Sequence, residues 1–176
     1  MLEKIIEVVS DVAERVIMPR YLQVGRQIKS DGSFFTEADI AAQIALLDAL
    51  QKIRPAPAMG EEMTEPEQLE QWEKGKEGLW SVDPIDGTSN FFNGLPYFAI
   101  SVAFMEQGRG VLGVIYNPIT KEMFYATKGG GAFLNGTPLP IKKYVPVLKS
   151  ATANVDLKRL DRALAAKVAA YPPYAS

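Results

Sequence analysis

The stretch from Gly78 to Ile141 constrains the fold more than any other part of the chain. "GLWSVD", "FAISVAFMEQGRGVLGVIYNP" and "EMFYATKGGGAFLNGTPLPI" are apolar, β-branched and aromatic, and Gly, Asn and Pro cut them at short intervals. This pattern predicts an antiparallel sheet. Gln107-Gly108 and Asn135-Gly136 mark two of its hairpins, because tight two-residue turns favour residues that tolerate positive φ.

Helical patterns precede the sheet. Leu2, Ile5, Ile6, Val9, Val12, Ala13, Val16 and Ile17 recur at helical spacing with charges between them, which predicts an amphipathic, core-facing helix over 2–18, punctuated by Pro19. A second helix is expected to begin near Thr36, turn Ile40, Ile44, Leu47 and Leu50 inward, and stop before Pro55 and Pro57. The link "IKSDGSFFTEAD" is polar and contains glycine, as a short hairpin or loop would. From Glu61 to Glu77 seven glutamates face Lys74 and Lys76, which reads as an exposed loop with a short helix. After Lys149 a short "SATANV" strand leads into "DLKRLDRALAAKVAA", where Leu157, Leu160, Leu164 and Val168 share a helical face, and "YPPYAS" reads as a linker. The fold class expected is α+β: two N-terminal helices packed on a mostly antiparallel sheet over residues 1–147, with 148–176 the beginning of a C-terminal α/β domain.

Charge and composition narrow the chemistry. With 19 basic and 21 acidic residues, no field of one sign covers the surface, which argues against nucleic acid or an anionic membrane as partner. No apolar run is long enough to span a bilayer, and with neither cysteine nor a leader-like segment the expected address is the cytoplasm. Histidine is absent as well, which removes Ser-His-Asp and Cys-His machinery and His-ligated zinc. Carboxylates, lysine, hydroxyls and backbone remain, and carboxylates prefer hard cations such as Mg2+.

"WSVDPIDGTSNF", residues 80–91, gathers such groups. If Asp83 closes a buried strand and Pro84 keeps the chain extended, Asp83 and Asp86 can point into one cleft, an arrangement that a shared proton or a bound cation makes tolerable. The Ile85 carbonyl can add a backbone oxygen, Gly87 allows close approach of a ligand, and Thr88 brings a hydroxyl beside N–H groups suited to phosphate. "GEE" at 60–62 and "TEAD" at 36–39 offer further carboxylates. Standing alone, Glu61 reads as a solvated side chain, Thr36 and Asp39 as a helix capping box, and Asp86-Gly87 as a turn.

Taken together and in this order, "KSDGSFFTEAD", "GEE" and "WSVDPIDGTSNF" resemble the signature set of the inositol monophosphatase family of magnesium-dependent, lithium-sensitive phosphomonoesterases. "GVIYNP", "GGGAFLNG" and "ATANVD" extend the likeness over nearly the entire chain. The resemblance implies a layered αβαβα sandwich in the complete family fold and Mg2+-dependent hydrolysis of a phosphomonoester such as myo-inositol 1-phosphate by a metal-activated water. Glu61, Asp83 and the Ile85 carbonyl would hold one ion, and Asp83 would bridge to a second held by Asp86. Gly87 and Thr88 would present N–H groups to the phosphate, with Asp86 also facing substrate. Thr88, paired with Asp39 and aided by Glu61, would orient and deprotonate the water, with Lys29 and Glu62 in supporting roles. Fructose 1,6-bisphosphate, histidinol phosphate and 3'-phosphoadenosine 5'-phosphate are alternative substrates within the superfamily, and a homodimer is implied.

The family's later Trp-Asp-x-Ala-Ala-Gly motif has no counterpart, since Trp72 and Trp80 are the only tryptophans and neither precedes Asp. The expectation is therefore a truncated product or fragment that binds one magnesium weakly and turns over poorly, with a noncatalytic remnant as the competing reading.

Overall fold

The N-terminal helical pattern becomes α1 (Leu2–Val12), which continues through a π-helical turn (Ala13–Ile17) into a 3-10 turn (Met18–Arg20) containing Pro19. The computed structural model describes residues 1–23, 25–28, 34–140, 155, 157 and 160–170. Ile5, Val9, Val12, Ala13 and Ile17 form the buried stripe of this first segment. The following link is a two-stranded antiparallel hairpin of β1 (Arg26–Ile28) and β2 (Phe34–Thr36). Lys29, residues 150–154 of the expected "SATANV" strand and the expected boundary at 147/148 lie outside the described residues.

Thr36 caps α2 (Glu37–Ile53) and sets its phase. Ala38, Ala42, Leu46 and Leu50, each four residues apart, are buried, whereas Ile40 and Ile44 are 43% and 58% exposed. The expected inward orientation of Ile40 and Ile44 is thus corrected. Asp39 is drawn into the interior by its hydrogen bonds to Thr36, and that rotation turns the two isoleucines outward.

The expected sheet contains seven strands in sequential order: β3 (Ala58–Gly60), β4 (Leu79–Asp86), β5 (Ala99–Glu106), β6 (Arg109–Asn117), β7 (Glu122–Thr127), β8 (Gly131–Leu134) and β9 (Thr137–Pro138). All neighbours are antiparallel except β3 and β4, which run parallel on either side of α3 (Glu65–Lys74). Both expected hairpins form. Gln107 and Gly108 adopt φ of 51° and 69° between β5 and β6, and Asn135 and Gly136 adopt 48° and 83° between β8 and β9.

One sheet face supplies Trp80, Val82, Ile100, Val102, Phe104, Leu112, Val114 and Tyr116 to the core, where α1 and α2 pack against it. Side chains of this size each contribute about 1.5–3 kcal/mol when fully buried. Trp80 stands edge-on to Phe104 and donates its Nε1–H to the Arg54 carbonyl at 3.0 Å. The Arg54 guanidinium lies 4.1 Å over the Phe104 ring and meets Glu106 at 2.9 Å, closing the end of the core away from Asp86.

The chain divides into two compact units, Met1–Leu139 and Pro140–Ser176. In the second, α5 (Arg162–Ala169) is capped by Asp161, whose carboxylate accepts from the Ala163 and Leu164 N–H groups at 3.0 Å. Among the described residues no helix is long and apolar enough to cross a membrane.

Candidate functional site

Parallel pairing of β3 with β4 brings the C-terminal ends of both strands to one edge. Gly60 lies opposite Val82, and the Glu61 N–H extends the ladder by donating to the Val82 carbonyl at 3.0 Å. Glu61 therefore emerges beside Asp83. The short β3 carries no alternation visible in the sequence, and its partner, not its composition, makes it a strand.

Asp83 does not close β4 as expected; the strand runs through Pro84 to Asp86. Asp83 pairs with Ser101 and Asp86 with Ala99, so three steps on β4 oppose two on β5. This bulge accommodates Pro84, which cannot donate to the ladder. In a regular strand residues three apart face opposite ways. The extra residue instead puts Asp83 and Asp86 on the face shared by Ser101 and Ala99, while Pro84 and Ile85 are buried. Gly87 then turns the chain at φ 95° into α4 (Thr88–Phe92), a short helix.

Thr88 is buried at the start of α4, and its hydroxyl lies 3.1 Å from both Asp39 Oδ1 and the Ile85 carbonyl. One hydroxyl proton serves one acceptor at a time, so these two compete for it. Asp39 Oδ2 accepts from the Thr36 N–H at 2.7 Å and the Thr36 hydroxyl at 2.6 Å, and Thr36 Oγ1 accepts from the Ala38 N–H at 3.1 Å. The capping box and the link to Thr88 coexist in one carboxylate. Burial pushes the Asp39 carboxyl above its ordinary range, opposed by the hydrogen bonds from Thr36 and Thr88.

Asp83 shows the strongest perturbation. Burial, then the charge of Glu61 and a hydrogen bond with it, then the charge of Asp86 push its carboxyl up to about 8, against a small opposing pull from the Ile85 N–H. Its Oδ1 is buried without a hydrogen-bond partner. Such an oxygen is costly unless something absent from the protein atoms satisfies it. Among the described residues no three acidic side chains already converge as a ligand set. Asp83, Glu61, Asp86 and a backbone oxygen are the kind of oxygen donors that suit a hard divalent cation, and the unpartnered Asp83 oxygen has room in its hydrogen bonding for one.

The structure gathers Glu61, Asp83, Ile85, Asp86, Gly87 and Thr88 at one sheet edge, with Asp39 reaching them from α2. Two residues carried no sequence signal. Gln43 Oε1 accepts from the Glu62 N–H at 3.0 Å, and Gln68 Nε2 donates to the Gly60 carbonyl at 2.9 Å. Neither belongs to a motif, and only the packing of α2 and α3 against the 60–63 loop reveals them.

Residues 1–166 match the model of the inositol monophosphatase family. The chain is 43% identical over 115 residues to an inositol-1-monophosphatase of Caulobacter vibrioides, covering 64% of this chain and 42% of that protein. It is 42% identical over 109 residues to a fructose-1,6-bisphosphatase/inositol-1-monophosphatase of Thermotoga maritima, covering 61% of this chain and 40% of that protein. The solved structure of a Thermotoga maritima IMPase superposes with a TM-score of 0.72 at 36% identity, covering 81% of this chain and 54% of that one. The chain thus spans less than two thirds of these relatives' length. Shared sequence and shared α+β architecture lead to one assignment: the chain belongs to the inositol monophosphatase family.

Proposed function

We propose that this protein hydrolyses a phosphomonoester, with myo-inositol 1-phosphate as the leading substrate and Mg2+ as cofactor. The observation that carries the reading is the buried, unpartnered Asp83 oxygen beside Glu61 and Asp86, one turn from the Thr88–Asp39 pair. Glu61, Asp83 and the Ile85 carbonyl would hold one ion, and Asp83 with Asp86 a second. Bound magnesium would supply positive charge against the phosphate and acidify a water ligand.

The protein's own groups orient that water. When the Ile85 carbonyl is engaged elsewhere, the Thr88 proton goes to Asp39 Oδ1, 3.1 Å away, leaving the Thr88 oxygen to accept a hydrogen bond from water. Asp39 is fixed for this role by Thr36. Glu61 is the base that takes the proton. Gly87 and Thr88 face the phosphate with N–H groups from the first turn of α4, which have no carbonyl partner within the helix. Asp86 lies exposed at the strand end, where it can also meet substrate.

A second reading, a sugar bisphosphatase of the same superfamily, is favoured by the Thermotoga maritima relative whose name carries both activities. The proposal includes a small phosphorylated substrate, a cytoplasmic address and a homodimer, the last checked by light scattering. Phosphate release is to be measured on myo-inositol 1-phosphate, fructose 1,6-bisphosphate, histidinol phosphate and 3'-phosphoadenosine 5'-phosphate, with magnesium binding followed calorimetrically in parallel. In an active, complete enzyme, Asp83→Asn and Glu61→Gln are expected to abolish magnesium-dependent release. Near-normal turnover in either variant would overturn the proposal.

A further inference from the structure

We infer that Gln43 is a positioning residue for Glu61, holding the Glu61–Glu62 loop at the cation site through the Glu62 N–H. The inference rests on the cation site proposed above. The loop is tied from three sides: the Glu61 N–H to Val82 of β4, the Gly60 carbonyl to Gln68 of α3, and the Glu62 N–H to Gln43 of α2. The first two fix the start of the loop. Gln43 fixes the amide directly after Glu61, at 3.0 Å, and so sets where the Glu61 side chain leaves the backbone.

Gly60 supplies independent support. Its φ lies outside the left-handed region, so its backbone does not demand glycine. The space above it is what matters: a Cβ at Gly60 would overlap the Gln43 carboxamide, the far end of a flexible side chain, and push it aside. The glycine of "GEE" is therefore the socket into which Gln43 fits.

Gln43 also lies one helical turn beyond Asp39 on α2, and residues four apart share a helix face. One rigid helix thereby holds both Thr88, through Asp39, and the Glu61 loop, through Gln43. The distance between the hydroxyl that orients water and the carboxylate that binds the ion is built into α2.

The test is magnesium titration calorimetry on the full chain, with amide exchange at Glu62 followed by NMR. Gln43→Ala is expected to weaken magnesium affinity about tenfold, as loss of a group orienting a metal ligand commonly does, and to speed exchange at the Glu62 amide. Gly60→Ala, which displaces Gln43 while leaving it present, is expected to do the same. Gln43→Glu keeps an acceptor for the Glu62 N–H and should stay close to wild type. Unchanged magnesium affinity in both alanine variants, or a loss in Gln43→Glu equal to that in Gln43→Ala, overturns the role of Gln43 while leaving the cation site standing. Absence of magnesium binding by the wild-type chain removes the cation site and the inference with it.

Discussion

Thr88 Oγ1 lies 3.1 Å from Asp39 Oδ1 across 49 residues of sequence, and both groups are buried. The pair joins the first turn of α4 to the first turn of α2, so it is a packing contact as well as part of the proposed water-orienting machinery. Thr88→Val keeps the shape and removes the donor. Leaving a buried acceptor short of a partner is expected to cost about 1–2 kcal/mol in urea unfolding. Asp39→Asn is expected to be non-additive with it, with a coupling of about 1 kcal/mol in a double-mutant cycle. Additive losses would mean that the two side chains do not share a hydrogen bond in solution.

Asp83 predicts a change of the opposite sign. Buried beside Glu61 and Asp86 with an unpartnered oxygen, it strains the metal-free protein. Asp83→Asn removes the cost of holding in the fold a carboxyl that is protonated there at neutral pH but ionised in the unfolded chain, and should stabilise the metal-free chain by about 1 kcal/mol, a modest gain because the site is partly open to solvent. The same substitution should abolish stabilisation by added magnesium. Thermal unfolding with and without magnesium reads both effects, and a variant less stable than wild type without magnesium would contradict the repulsion argument.

Glu67 gives a pH dependence. Its carboxylate accepts from the Thr64 N–H at 2.8 Å and the Thr64 hydroxyl at 2.7 Å, and these bonds hold its pKa below the ordinary 4.5. The cap is therefore fully present above about pH 4.5, the value of the unfolded chain, and is lost as pH falls through the lower folded value. Amide exchange in α3 should quicken over that acidic window in wild type. In Glu67→Ala it should be fast and flat. Gln68, which holds the Gly60 carbonyl, lies in this first turn, so the cap also steadies the Glu61 loop.

Local chemistry was legible in the sequence, and long-range pairing was not. The Gln107-Gly108 and Asn135-Gly136 hairpins follow from what two adjacent residues can adopt. Thr36 and Asp39 were readable as a cap for the same reason. Ile40 and Ile44 give a misleading phase for α2, because apolar spacing alone fits more than one face and buried Asp39 decides which one turns inward. The path through Pro84 to Asp86 depends on how many residues of β5 lie opposite, which no local pattern encodes. Gln43 was invisible because a neutral side chain bonded to a backbone amide leaves no motif.

Gly87 and Gly108 both have positive φ, 95° and 69°, yet they should respond differently to alanine. At Gly108 a Cβ meets nothing within 4 Å, so Gly108→Ala carries only the conformational cost of the left-handed region, about 1 kcal/mol. At Gly87 a Cβ would stand 2.9 Å from the Tyr97 carbonyl oxygen and 3.3 Å from Phe98 Cα, both backbone atoms that cannot swing aside. Its own carbonyl accepts from the Asn90 and Phe91 N–H groups at 2.8 and 3.0 Å, so the residue cannot shift without loosening α4. Gly87→Ala should therefore cost about 2–4 kcal/mol, the strain of a forced backbone added to that clash. Urea unfolding of the two variants side by side checks this. Equal losses would show that the turn after Asp86 needs glycine for its backbone conformation alone, and not for the close approach of the Tyr97–Phe98 backbone that sets Thr88 beside Asp39.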